Sequence, residues 1–377
     1  METGRRENCQ LPESPKEFEM RPPEGLLTSL APGSRILFIR LRSLGDTVLS
    51  TPLYAALKAW RPDLRLSVLV EEPFDEALYR NPDLESVFPL QVHRIKQRST
   101  TMARWRTLRR IRRKRFDCCI NLHGGATSAW LTGLSGARFR IGLQGYRNSF
   151  CYNVRTELPS PPPGGRWHSA RFQLEWLNRL GLRKGPDPPA RLFPDPGLRS
   201  VLQARLRDAG LQPSRPVCVI QPSSRFHTKE WTDAGFAEIS DFLQEHGYAT
   251  LLVGTEEEKP KIRRVAGLCR TRPASIWGLT ISELTGVLDQ ASLFVGNDSG
   301  PTHMAAALGV PVLVLFGSSD SNLWRPWQAV HEIVQNPFDC NPCPGYRCHV
   351  YGDPQCILSI TPQQVKEALQ RLLKRVQ

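Results

Sequence analysis

No stretch of this 377-residue chain is apolar for long enough to cross a bilayer: the longest strongly apolar run, Val310 to Phe316, falls far short of the ~20 residues a spanning helix needs. The first 33 residues are polar and proline-rich and lack the apolar core of a secretory signal, so residues 1–33 read as a disordered tail and a cytoplasmic location is expected. Cysteine is too sparse for a disulfide scaffold: six of the ten (Cys9, Cys118, Cys119, Cys151, Cys218 and Cys269) are scattered or lie in apolar runs. There is no GxxxxGK[ST] loop and no GxGxxG, which removes support for a P-loop NTPase or a simple dinucleotide binder. Acidic residues are in deficit, with 36 Asp+Glu against 50 Lys+Arg and a formal charge of +14, which favours polyanionic partners such as nucleotides, nucleic acid or an anionic membrane surface.

What is present is an alternation of short apolar runs and helical periods. Arg35–Leu41, Leu64–Val70 and Phe116–Leu122 read as strands. They are followed by helical patterns through Val48, Leu49, Leu53, Leu57 and Trp60, over Pro73–Arg80, and over Ala126–Leu134. Proline-rich breaks occur at Pro159–Gly165 and from Gly185 to Gly197, with a helical stretch His168–Leu180 between them. Beyond them the pattern resumes with strands Val217–Gln221, Thr250–Val253, Ser292–Val295 and Val312–Phe316, interleaved with helices Asp233–Glu245, Glu256–Leu268, Ser282–Leu288 and Thr302–Leu308. The expectation is two doubly wound α/β domains, 34–184 and 185–377, the second ending in a cysteine cluster and a terminal helix. A ligand cleft then lies between them, at the carboxyl ends of the strands.

The polar residues that follow these strands are the candidates for chemistry. Asp46 comes after the first strand, where a carboxylate either accepts a proton from an attacking hydroxyl or caps the next helix. In Val295–Met304 the glycines Gly296 and Gly300 stand with Ser299, Thr302 and His303 at a strand-to-helix turn whose amides suit phosphate; Asp298 suits hydroxyl groups, or caps. Arg225, His227 and Lys229 form a donor cluster for a pyrophosphate, with Ser223 and Ser224 beside it. Glu256 to Glu258 lie where a carboxylate could hold a ribose diol, or merely favour a helix's first turn.

Two further clusters stand apart. From His93 to Arg115 there are eleven Lys or Arg residues, Arg94, Lys96 and Arg98 leading, and no acid; nucleic acid, anionic lipid and a phosphorylated acceptor all fit such a patch. Near the C-terminus Cys340, Cys343, Cys348 and Cys356 form a C-x2-C-x4-C-x7-C cluster, which reads as a structural Zn or Fe site or as reduced or redox-labile thiols.

Ser43–Pro52, Lys229–Trp231, Asn297–His303 and the four C-terminal cysteines, in order from about Ile36 to Val376, resemble the signature segments of glycosyltransferase family 9, the lipopolysaccharide heptosyltransferases. The resemblance implies a GT-B fold, two Rossmann-like domains facing a central cleft, and inverting, metal-independent transfer of heptose from ADP-heptose to a lipid A–core acceptor, with no cofactor required. It implies Asp46 as the catalytic base. It also implies donor contacts from Ser223, Lys229, Glu257, Glu258, Asp298, Ser299, Gly300 and His303, the acceptor held by the first domain, and the basic stretch with Arg94, Lys96 and Arg98 meeting core phosphates and the anionic inner face of the inner membrane. The chain has no DxD motif, so Lys229 and the helix start near Ser299 would stand in for a divalent metal. The alternatives are a related transferase using another nucleotide-sugar or a protein acceptor, and a nucleic-acid-binding protein built on residues 93–115. The last expects stacking aromatics among the charges and finds only Trp105, so no nucleic acid is expected as a partner.

Overall fold

The computed structural model describes residues 25–91, 99–161, 165–183, 185–211, 214–343 and 345–376. The first sheet comprises β1 (Arg35–Ile39), β2 (Arg65–Glu71), β3 (Leu84–Leu90), β4 (Cys118–Asn121), β5 (Phe139–Leu143) and β6 (Val154–Thr156), in the order β3-β2-β1-β4-β5-β6. The second comprises β7 (Val217–Gln221), β8 (Ala249–Gly254), β9 (Ala274–Trp277), β10 (Leu293–Asn297), β11 (Val312–Leu315) and β12 (His331–Val334), in the order β12-β11-β10-β7-β8-β9. All strand pairs are parallel. Each sheet therefore has the doubly wound order 3-2-1-4-5-6, with a switch point between β1 and β4 in one domain and between β7 and β10 in the other.

Strand alternation divides each sheet's apolar residues between two cores. Along β7, Cys218 and Ile220 join the core with Trp231, Phe236 and Leu369, whereas Val219 joins the opposite core with Phe294 and Met304. In the first sheet, Ile36 and Phe38 face Tyr54 and Trp176, while Leu37 and Ile39 face Ile111 and Leu131. Leu182 packs in a first-domain core and Ala190 in a second-domain core. Val48 and Ala77, from the first domain, also pack in that second-domain core, so the interface carries apolar contacts as well as polar ones.

Some elements differ from the sequence reading. Of the expected tail, residues 1–24 lie outside the described residues, but Leu26 to Ser29 form a short helix with Leu26 and Leu27 wholly buried. Four residues cannot hold a helix by hydrogen bonding alone; burial of the two leucines, roughly 1.5–3 kcal/mol each, does so. The helix expected across Val48 to Trp60 is two helices, Leu44–Val48 and Thr51–Trp60, with Pro52 in the first turn of the second, where its missing N–H costs nothing. Pro73–Arg80 contains a 3₁₀ segment, Phe74–Leu78. The basic stretch is in large part a helix, Ser99–Lys114, anchored by buried Thr107, Leu108 and Ile111. Arg94, Lys96 and Arg98 lie outside the described residues.

Candidate active site

The loops after β1 and β10 meet face to face. The helix Leu44–Val48 begins just after β1, and the helix Gly300–Ala307 just after β10. A Cβ on Gly45 would lie 2.8 Å from His303 Cδ2, and one on Gly300 would lie 2.7 Å from Leu44 Cδ2. Each helix start thus carries a glycine where the other helix presents a side chain, and this close approach brings Asp46 and the Asp298–His303 segment to one cleft.

Asp46 is the third residue of its helix and forms a capping box: Ser43 N–H and Ser43 Oγ each donate to Asp46 Oδ2 at 3.1 Å. Its Oδ1 lies 3.6 Å from Arg40 Nη1, and the side chain keeps 24% exposure, so the carboxylate is both held and reachable. The capping role, one of the two that the sequence allows, is therefore present.

Opposite Asp46, Asn297 ties the loop after β10 to the loop after β7. Its Nδ2 donates to the Pro222 carbonyl at 3.0 Å, its Oδ1 accepts Trp231 N–H at 3.1 Å, and its carbonyl accepts the Thr302 hydroxyl at 2.5 Å. Asp298, 6% exposed, accepts from Lys229 Nζ at 2.6 Å and from the Ser319 hydroxyl. Lys229 was expected to meet phosphate and Asp298 hydroxyl groups; here they pair with each other. A buried aspartate that needs this cation for compensation holds the partly buried lysine in place.

Ser299 Oγ donates to Gln221 Oε1 at 3.1 Å and does not cap its own helix, whose first amides are left open, as an anion would require. Pro301 sits in the helix's first turn. Ser223 Oγ is buried without a partner, and so is His303 Nδ1. His303 Nε2 lies 3.9 Å from Asp298 Oδ1. Burial pushes the His303 imidazole below the usual histidine range, against the opposing pull of Asp298 and Asp46.

The glutamates divide. Glu258 turns back to accept Thr255 N–H at 2.9 Å, and burial raises its carboxyl above the usual range. Glu256 pairs with Lys259 at 3.4 Å, while Glu257 is exposed beyond the carboxyl end of β8. Arg225 and His227 are exposed, so Lys229 is the member of that cluster turned toward Asp298.

Cys340, Cys343, Cys348 and Cys356 are free thiols, and among the described residues no group of three or more His, Cys, Asp or Glu side chains is arranged to hold a metal ion. The grouping that a structural Zn or Fe would need is thus not found. Burial, then the nearby Cys343, Cys340 and Cys348, raise the Cys356 thiol. This loop instead braces the loop after β7: Cys343 N–H donates to the Ser318 carbonyl at 3.0 Å, Ser318 Oγ to Thr228 Oγ1 at 3.0 Å, and the Thr228 hydroxyl to the Gly345 carbonyl.

Several residues at the cleft escaped the sequence reading. Arg40 and Arg42 leave β1, while His123 and Gly124 leave β4; the two strands are far apart in sequence and become neighbours only through the sheet order. In the sequence, the Gly124–Gly125 pair after β4 marks a turn there.

Two Rossmann-ordered domains whose facing helix starts bring a carboxylate, a lysine and open amides into one cleft define a transferase of the GT-B architecture. Residues 104–352 match the model of glycosyltransferase family 9 (heptosyltransferase), and the chain belongs to that family as a glycosyltransferase. It is 29% identical over 293 residues to lipopolysaccharide heptosyltransferase 3 of Escherichia coli, covering 76% of this chain and 84% of that one. It is 26% identical over 365 residues to lipopolysaccharide heptosyltransferase 1 of Pseudomonas aeruginosa, covering 90% and 98%. In structure it is similar to a family 9 glycosyl transferase of Veillonella parvula, with a TM-score of 0.77 and 22% identity over 91% of this chain and 97% of that one. ADP-heptose LPS heptosyltransferase II of E. coli gives a TM-score of 0.73 at 22% identity, covering 90% and 99%.

Proposed function

We propose that the protein transfers heptose from ADP-heptose to the inner core of lipopolysaccharide, by a single displacement that inverts the anomeric centre. The observation that carries this reading is the apposition of Gly45 with His303, which sets the acceptor-side carboxylate Asp46 opposite the donor-side pair Lys229 and Asp298. Asp46 would take the proton from the acceptor hydroxyl as it attacks. The departing pyrophosphate would be met by Lys229 and the open amides at Ser299 and Gly300, which stabilise the charge that develops there. Lys229 would exchange part of its interaction with Asp298 for the phosphate, leaving that carboxylate to Ser319 and to hydroxyl groups of the donor. Exposed Glu257 is the better placed of the two expected glutamates for the ribose, since Glu258 is engaged by Thr255. This division of labour needs no divalent metal.

The donor domain would work in water while the acceptor is held at a membrane surface. Among the described residues no helix is long and apolar enough to cross a membrane. The outer stripe of helix Ser99–Lys114 presents Met102 and Trp105, 62% and 54% exposed, followed by exposed Arg106, Arg109, Arg112 and Arg113. Apolar and aromatic side chains leading into a row of arginines suit the interface of an anionic leaflet.

The reading is tested by ADP release from ADP-heptose, GDP-heptose and UDP-glucose with deep-truncated lipopolysaccharide as acceptor. Acceptor-dependent release from ADP-heptose alone supports it. Release from another donor, or with a peptide acceptor instead, points to the related transferase.

A further inference from the structure

At the carboxyl end of β4 the chain turns through Asn121–Gly125 into the nine-residue helix Ala126–Leu134. Asn121 fixes this turn. Its Oδ1 accepts the N–H groups of His123 and Gly124 at 2.9 and 3.1 Å, and its Nδ2 donates to Thr132 Oγ1 at 3.0 Å and to the Tyr152 hydroxyl at 2.9 Å. Gly124, at φ +71°, lies against the Tyr146 ring, where a Cβ would approach within 2.5 Å. Only glycine combines that backbone conformation with that approach. Gly125 then begins the helix with no side-chain cap, so the first amides and the positive end of the helix dipole face outward. The His123 ring covers Gly125, its Cδ2 lying 3.2 Å from where a Cβ would stand.

A second, independent feature belongs to the same space. Arg40, at the end of β1 and only 9% exposed, has a buried Nε without a hydrogen-bond partner. Its charge acts on Asp46, on Tyr146 and on His123: after burial, Arg40 and Arg42 are the largest influences holding the His123 imidazole below its usual range. Arg42 is half exposed and also reaches Glu71, 3.5 Å away. A buried guanidinium N–H is seldom left without an acceptor; Asp46 and Glu71 each meet one nitrogen of the two arginines, while Arg40 Nε and the uncapped helix end remain donors without a side-chain acceptor.

We propose that the start of helix Ala126–Leu134, with Arg40, Arg42 and His123, binds an anionic group of the acceptor, a carboxylate or a phosphate, beside the hydroxyl that Asp46 deprotonates. The site selects acid or phosphorylated sugars over neutral ones. It places the acceptor's charge on the side of Asp46 away from the donor, so the two substrates' anions are held by separate cations. This inference deepens the reading of Asp46 as the acceptor-side base and rests on it for its role in transfer.

The test is NMR of the full-length protein labelled at histidine, saturated with ADP so that the donor site is filled. Inorganic phosphate, glucose 6-phosphate, methyl β-D-glucuronide and neutral methyl β-D-glucoside are titrated while the His123 resonance and its pKa are followed. An anion seated beside His123 shifts the resonance saturably and raises its pKa, and the neutral glycoside does neither. Tighter binding of the glucuronide assigns a carboxylate; tighter binding of the phosphate ester assigns a phosphate. Arg42→Gln weakens anion binding at least fivefold and Arg40→Gln at least tenfold, with ADP affinity within twofold of the parent. The proposal is overturned if no anion moves His123 more than the neutral glycoside, or if Arg42→Gln binds anions as tightly as the parent. Failure to release ADP from ADP-heptose, with the anion titration intact, would count against the donor reading and not against this site.

Discussion

The imidazole of His303 lies against Gly45, so close that a Cβ there would stand 2.8 Å from Cδ2. Residues from two domains are packed at that point as tightly as within one core. Overpacking such a contact costs roughly 1–3 kcal/mol, and a shift of about 1 Å between reacting groups costs roughly 100-fold in rate. Gly45→Ala is therefore expected to lower kcat by 10- to 100-fold, with ADP affinity changed less than threefold, as measured by steady-state ADP release and by calorimetric titration of ADP. Loss of ADP affinity in step with kcat would show that the contact shapes the donor pocket and not the apposition of the domains.

Lys229 and Asp298 are a pair in which each partner depends on the other. Removing the lysine leaves a carboxylate, 5% exposed at its side chain, without a cation, at a cost of roughly 3–5 kcal/mol. Lys229→Met should unfold at lower urea concentration and bind ADP more than tenfold more weakly. The double variant Lys229→Met/Asp298→Asn should recover most of the stability and none of the affinity. Recovery of both in the double variant would mean that Lys229 serves the fold and not the donor.

His168 pins the helix Ser169–Arg179 of the first domain to the second. Its Nδ1 accepts Ala170 N–H at 3.1 Å, its Nε2 donates to the Arg325 carbonyl at 2.9 Å, and its ring stacks on Trp327 at 4.6 Å. Both nitrogens are committed to the neutral tautomer, and burial pushes the pKa down from 6.5 to about 4. Because the folded state resists protonation, this contribution is fully present above pH 6.5 and is lost as pH falls from 6.5 toward 4, by up to about 3 kcal/mol. His168→Asn keeps an acceptor for the helix cap but cannot titrate. Its urea midpoint should be lower than the parent's at pH 8 and should fall less between pH 6.5 and 4.5; parallel pH profiles would remove His168 from the account.

The arginine stripe of helix Ser99–Lys114 gives a prediction about place. Each Lys or Arg near an anionic bilayer contributes roughly 1 kcal/mol, so Arg106, Arg109 and Arg113 changed together to Gln should weaken binding to phosphatidylglycerol-containing vesicles about 100-fold. Turnover of a detergent-free soluble acceptor should be unaffected. Vesicle sedimentation at low and high salt reads the effect, and retention of binding by the variant would place the membrane contact elsewhere.

Much of this molecule was legible in its sequence where the strands are buried on both sides. Val217–Gln221 and Asp233–Glu245 are found as read, because an unbroken apolar run and a period of 3.6 survive wherever a segment faces a core. Five strands lack such a run: β3 carries Glu85, Ser86 and Pro89, β6 has three residues, and β5, β9 and β12 each include half-buried positions, so none shows in the sequence as a central strand does. Helix Ser99–Lys114 was hidden by its own arginines, which mask the three inward positions Thr107, Leu108 and Ile111. At the site, residues on one loop could be read together, as Asn297 to His303 were. Arg40 and His123 could not, since only the pairing of β1 with β4 joins them, and the partnership of Lys229 with Asp298 likewise needs β7 and β10 to be neighbours.

The central claim is that Asp46, although it caps a helix, is the group that accepts the acceptor's proton. Single-turnover release of ADP from ADP-heptose with deep-truncated lipopolysaccharide, in EDTA, should be compared for the parent and Asp46→Asn, which can still accept the two hydrogen bonds from Ser43. The account predicts that the variant folds and binds ADP normally but transfers at least 1000-fold more slowly across pH 6 to 9, while the parent is unaffected by EDTA. Transfer by Asp46→Asn within tenfold of the parent would contradict it and reduce Asp46 to a helix cap.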